Sequence, residues 1–178
     1  AINDFQPNDY LIWYYNVKYF NQWSQMCGGS YSSDYTGQTE NGGQGSQYIA
    51  TLNYRNKIQQ YIDQTGTVEN NGFLAATGIM TIYLAIFDTD MYGSIPYTEA
   101  AHYDDKGILT PKYEKVEDLY NLWIEELNNY ITMLQAGDLV SFKGQDAAYG
   151  CDWKKWARFA NSLKLKIAAR LYNNEPAK

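Results

Sequence analysis

The chain has a single histidine, His102, and nucleophilic triads need a base. It follows the Tyr97-Thr-Glu-Ala turn and stands between Ala101 and Tyr103. No Gly-x-Ser-x-Gly elbow offers a nucleophile, so the histidine reads as structural. Two carboxylates can hydrolyse a glycosidic bond when correctly separated. Asp88 with Asp90, and Asp104 with Asp105, are neighbours in sequence only, and adjacent acids in a loop read as solvated charge. Asp88-x-Asp90 followed by Gly93 has the start of a calcium loop, but Tyr92 fills the fifth position, where an oxygen ligand belongs. Gly42-Gly-Gln-Gly45 has neither the following Lys-Ser/Thr nor the preceding strand of a phosphate loop. Cys27 and Cys151 form no CxxC and no zinc set; a disulfide between them stays open. No catalytic residue, metal or cofactor is expected.

Binding chemistry fits better. Sugar recognition needs flat apolar platforms for the C–H face of a pyranose, with amides and hydroxyls for its hydroxyl groups. The loop at 28–47 supplies Tyr31 and Tyr35 with Asp34, Gln38, Asn41, Gln44 and Gln47. Its six glycines permit close backbone approach. The same composition also reads as a polar linker without a ligand. A loop this long in a compact domain is functional or disordered.

Five helices and no strand are predicted to position these residues. The first runs from about 8 to 26, with Ile12, Tyr15, Tyr19, Trp23 and Met26 at three-to-four spacing. The second, about 47 to 64, has a weaker stripe of Tyr54, Ile58, Tyr61 and Ile62. The third, about 71 to 88, carries Phe73, Ala76, Met80, Leu84 and Phe87 and is apolar on most sides, which predicts a central position. Its apolar run from 73 to 87 is too short for a membrane span. The fourth, about 115 to 136, repeats Val116, Leu119, Trp123, Leu127, Ile131 and Leu134. The fifth, about 153 to 172, repeats Trp156, Phe159, Ala160, Leu163, Ile167 and Leu171. Glycines at 66, 93, 107, 137 and 150 fall in the gaps. The pattern predicts an all-α domain over residues 1–178, built of tetratricopeptide-like helical hairpins with long irregular loops, although the exact repeat signature is absent.

Bulk properties narrow the partners. The 178 residues are enough for one domain with a core, and a net charge of −6 argues against nucleic acid. Seven of the 14 Lys/Arg lie in residues 153–178, where Glu175 is the only acid, as expected for a basic helix beside acidic neighbours. The 18 tyrosines and 5 tryptophans suit wet, half-buried contacts as well as helix interfaces.

Three segments carry a more specific signal. Residues 90–100, Asp-Met-Tyr-Gly-Ser-Ile-Pro-Tyr-Thr-Glu-Ala, place Gly93 and Pro96 between Tyr92 and Tyr97. Residues 109–120 read Leu-Thr-Pro-Lys-Tyr-Glu-Lys-Val-Glu-Asp-Leu-Tyr. Residues 149–170 include Trp156-Ala-Arg-Phe-Ala-Asn161-Ser-Leu-Lys-Leu. In this order they resemble the motifs of the SusD/RagB family. Residues 88–171 match well, and residues 1–87 match in helix layout alone. Glu114-Lys115 replaces the Asp-Ser/Thr pair of the family, so the fourth helix is expected to lack its usual cap. Cys151 shifts a Gly-Asp spacing by one, and Lys166 replaces a common arginine.

The resemblance implies a surface-exposed outer-membrane lipoprotein that binds glycan, breaks no bond, and hands oligosaccharide to a SusC-like TonB-dependent transporter. Membrane attachment would run only through a lipid anchor absent from this chain. It implies a protein of several hundred residues, of which this chain is expected to be a fragment. The 28–47 loop occupies the place of an early sugar-contacting loop, which makes Tyr31 and Tyr35 binding candidates. Asp90, Tyr92, Gly93, Pro96, Tyr97, Trp156 and Asn161 are expected to be scaffold, with Asn161 bonding a neighbouring loop's backbone if buried. The alternative is a helical interaction scaffold with no sugar site of its own; a small glycosidase is a third, unsupported by any good acid/base pair.

Overall fold

A computed structural model describes residues 47–172. The first expected helix, Cys27 and the whole set Tyr31, Asp34, Tyr35, Gln38, Asn41 and Gln44 lie outside the described residues. Four long helices form the frame: α1 (Gln47–Thr65), α2 (Asn71–Tyr92), α4 (Val116–Gln135) and α5 (Trp153–Leu171). A one-turn helix, α3 (Tyr103–Lys106), interrupts the connection between α2 and α4. Among the described residues there is no strand, only one isolated antiparallel bridge between Ile95 and Glu114.

α2 is the centre. Its residues from Leu74 to Ile86 are buried nearly all round, and it packs against α1, α4 and α5. With the turn before it, Val68–Tyr92 reaches 25 residues, long and apolar enough to cross a bilayer. The apolar element is thus longer than the 73–87 run suggested, but its enclosure by three helices makes it a core helix. The expected end at 88 also moves. Nothing between Thr89 and Tyr92 breaks a helix, and α2 stops only at Gly93, whose φ of +75° favours glycine. Asp90 and Tyr92 therefore stand on the last helical turn, and the connection begins at Gly93.

The hairpins α1–α2 and α4–α5 pack side by side in a tetratricopeptide-like manner. Phe73 meets Trp153 edge-on, with ring centroids 5.5 Å apart, and Tyr83 meets Phe159 at 5.6 Å. Lys166 lies over the Phe87 ring at 4.9 Å, and Arg170 pairs with Asp90. The partners advance together along both helices, so α2 and α5 run parallel. These last two contacts place the basic fifth helix beside acidic and aromatic neighbours. α4 crosses closely at Gly78, where an added Cβ would run into the Tyr130 ring.

The fourth and fifth stripes bury largely as expected, with Leu119, Trp123, Leu127 and Leu134 on α4 and Trp156, Leu163, Ile167 and Leu171 on α5. α4 starts at Lys115 without a side-chain cap; Glu117 and Asp118 in its first turn suit the helix dipole instead. α1 differs from expectation. Its buried face is Tyr48, Thr51, Leu52, Asn56 and Ile62, whereas Tyr54 and Tyr61 point outward. Of the expected stripe Ile62 is buried and Ile58 half-buried; the inward face also includes polar groups, such as Asn56, that bond neighbouring segments, so apolar periodicity misplaces Tyr54 and Tyr61.

α5 begins from a carboxylate hub. Asp146 accepts from the amides of Ala148, Tyr149 and Cys151 and from the Trp156 indole at 2.8 Å. The Cys151 amide bond holds a residue at φ +60°, and the Cys151 thiol is free and buried. Asp152, the aspartate displaced by Cys151, caps α5 by accepting from Lys155 N. Burial disfavours the Asp146 charge, but the four donors outweigh it and hold the carboxyl below its ordinary range.

Gly78→Ala should destabilise the fold by about 1–3 kcal/mol, because the buried Tyr130 ring cannot retreat; urea unfolding measures it. Asp146 has a depressed folded pKa, so its contribution is complete above the unfolded carboxylate pKa of about 3.9 and is lost as pH falls through the folded value. Asp146→Asn should therefore lower the melting temperature at pH 7, and the gap to wild type should narrow as pH drops below about 4.

Candidate functional site

The segment after α2 folds back through Glu114. Its Oε2 accepts from the amides of Tyr97 and Thr98 at 2.9 and 2.8 Å, and its Oε1 from the Thr98 hydroxyl at 2.9 Å. The residue just before the uncapped start of α4 thus becomes a clasp for the preceding turn. Glu99 makes a second closure by accepting from Lys112 N at 3.0 Å. The Pro96 carbonyl accepts the Tyr48 hydroxyl from α1.

Tyr97 plugs this turn into the frame. Its ring is 1% exposed and packs edge-on against Trp123 at 5.5 Å. Its hydroxyl donates to Glu126 Oε2 at 2.8 Å. Glu126 Oε1 accepts from Arg55 Nη1 at 3.2 Å, and the guanidinium lies 5.8 Å from the Tyr97 ring centre. Burial raises the Tyr97 hydroxyl well above its ordinary value, and the Glu126 charge adds to this. Burial likewise raises Glu126, against the pull of Arg55 and the Tyr97 bond, and pushes Tyr130 up to about 12. Both hydroxyls are thereby kept protonated, and that of Tyr97 is the donor to Glu126. Sequence periodicity marked none of Arg55, Glu114 or Glu126; a charged residue on an otherwise apolar helix face, as at 126 beside Trp123 and Leu127, was the available signal.

His102 stands beside this cluster. Its Nδ1 lies 2.8 Å from Asp105 Oδ2, and Asn56 Nδ2 lies 3.4 Å from its Nε2. Arg55 donates to Asn56 Oδ1, which turns the amide nitrogen towards Ala101 O and the imidazole. The ring ties the 101–106 segment to α1, with Lys106 Nζ a further neighbour of Nε2 at 3.5 Å. The carboxylate pairs also fall apart as chemistry. Asp88 and Asp90 are two residues apart on one helix, so they project on nearly opposite sides: Asp88 is buried and Asp90 pairs with Arg170. Asp104 and Asp105 are exposed on α3. Among the described residues no cluster of three metal-ligating side chains occurs.

The motif residues hold the frame together. Gly93 ends α2, Pro96 and Tyr97 anchor the turn, and Trp156 closes the hub under α5. Tyr92 is exposed. Asn161 corrects the expectation that it bonds a neighbouring loop: it lies one position off the buried stripe, is exposed, and donates to Ala157 O of its own helix. Glu114→Ala should cost about 1–3 kcal/mol, since it orphans two amides and a hydroxyl. Amide exchange at Tyr97 and Thr98 should quicken while the centre of α4 stays protected; unchanged exchange there would refute the clasp.

A family model described as starch-binding and associating with the outer membrane, SusD-like, matches residues 12–178. Among solved structures, a chitin-binding protein is 33% identical with a TM-score of 0.56, over 75% of this chain and 29% of that one. A SusD-like protein of the Bacteroidetes is 30% identical with a TM-score of 0.58, over 71% and 22%. A SusD/RagB family protein from Bacteroides thetaiotaomicron is 27% identical with a TM-score of 0.61, over 72% and 26%. No curated protein matches the sequence. The chain therefore spans about a quarter of the length of these solved relatives. The match over residues 12–178 makes this chain a member of the SusD-like family.

Proposed function

We propose that this chain forms part of a glycan-binding protein at the outer membrane, which captures oligosaccharide without cleaving it and delivers it to a TonB-dependent transporter. In the whole protein a lipid anchor holds it at the cell surface. The observation that carries this reading is family membership over residues 12–178, since the family is described as starch-binding and associating with the outer membrane. A relative at 33% identity bears the name of a chitin-binding protein, which extends the glycan class beyond starch. The geometry is compatible with binding rather than turnover. His102 is engaged with Asp105 and Asn56, and Asp88 and Asp90 cannot flank one bond. The half-buried cluster of Arg55, Tyr97 and Glu126 then serves to hold a stiff frame from which loops present sugar-contacting groups. Tyr31 and Tyr35, with Asp34, Gln38, Asn41 and Gln44, remain proposed contacts.

The test is retention of the chain on affinity gels of starch, soluble chitin derivatives, and plant and host polysaccharides. Retardation by one polysaccharide class is expected, weakened on Tyr31→Ala/Tyr35→Ala. Passage through every gel without retardation, by a chain that melts cooperatively, would refute a sugar site in this part of the protein.

A further inference from the structure

The outward turn of Tyr54 and Tyr61 has a chemical consequence. Isolated exposed aromatics on a surface require no explanation. These two are seven residues apart on α1, which places them on one azimuth, two turns or ~10.5 Å apart. They are 45% and 53% exposed, and in the ring and cation contacts among the described residues neither ring takes part. Lys57 lies between them on the same side; it is exposed and joins none of the salt bridges among the described residues. Gln64 adds an exposed amide one turn beyond Tyr61, and Ala50, one turn before Tyr54, leaves the helix surface low. The outward face thus combines two flat rings, a cationic donor and an amide.

We propose that this face of α1 is a stacking ladder for one extended oligosaccharide, a proposal that rests on the glycan-binding reading above. The separation is too long for both rings to meet the same pyranose, so Tyr54 and Tyr61 cover separate sugar units of one chain. Each ring takes the C–H face of its unit, while Lys57 and Gln64 donate to hydroxyl or carbonyl oxygens of the units between. A second protein is a poorer occupant. The face presents two separated rings over an alanine and a lysine, whereas a protein interface core is closely packed and depleted of lysine. The ladder favours length: a disaccharide engages one ring, and a longer chain engages both.

The experiment titrates the full chain with oligosaccharides of increasing length, cut from whichever polysaccharide retards it, by isothermal calorimetry. Wild type should gain affinity as the oligosaccharide grows long enough to reach the second ring. Tyr54→Ala/Tyr61→Ala should weaken the longer ligands at least tenfold and abolish the length dependence, with an unchanged melting temperature. Tyr54→Phe/Tyr61→Phe keeps the rings and should bind like wild type. Wild-type affinity in the double alanine variant overturns the ladder while leaving glycan binding intact. A wild-type chain that binds no glycan overturns the functional reading and the ladder together. Self-association lost in the alanine variant, with glycan affinity unchanged, would assign the face to a second copy and also overturn it.

Discussion

The burial of α2 is the constraint on which the rest depends. A helix apolar on nearly every side has no face to give to water, so it must be enclosed. One hairpin partner, α1, covers part of it. The remainder needs a second hairpin, which supplies α4 through Gly78 and α5 through Phe73, Tyr83 and Phe87. Side-by-side packing of helix pairs follows from the composition of one helix. The absence of a Cβ at Gly78 then sets how closely the second hairpin can approach, because the Tyr130 ring fills that space.

Enclosure creates a second problem where α2 ends. The chain must leave the core at Gly93 and return at α4, and its backbone polar groups need partners along the way. Carboxylates meet this need twice. Glu114 serves the amides of the turn, and Asp146 serves those before α5. Both are acids acting as acceptors for several donors. Glu126 adds the long-range version, joining Arg55 of α1 and Tyr97 of the turn on one side chain. A family motif in this protein is a description of how a loop is kept closed.

The long periodic elements were legible because burial follows the helical repeat. α4 and α5 needed only the three-to-four spacing of Leu, Trp and Ile. α2 was legible as central, but not in length, since Thr89 to Tyr92 continue a helix without adding to its apolar run. α1 was legible as a helix, and its orientation was not. Its buried side holds Thr51 and Asn56, which bond Tyr48 O and Ala101 O, so its polarity misleads any count of apolar residues. The turn at 90–100 stands out in the sequence as a distinctive string, yet its partners at 55, 114 and 126 are distant in sequence and share no period with it. Asn161 shows the same limit at small scale, where one position around a helix separates core from solvent.

The bond between Tyr97 and Glu126 also bears on the order in which the chain can fold. Tyr97 leaves the ribosome 29 residues ahead of its acceptor, and Tyr48 precedes the Pro96 carbonyl by 48. The first hairpin can form by local contacts, but the turn that ends it gains its anchor only after α4 has been synthesised and docked. Until then the Tyr97 ring lacks the Trp123 ring that covers it, and among the described helices α1 alone is there to shield the apolar length of α2. The two hairpins are therefore a cooperative pair rather than independent modules, and the second acts as the chaperone of the first.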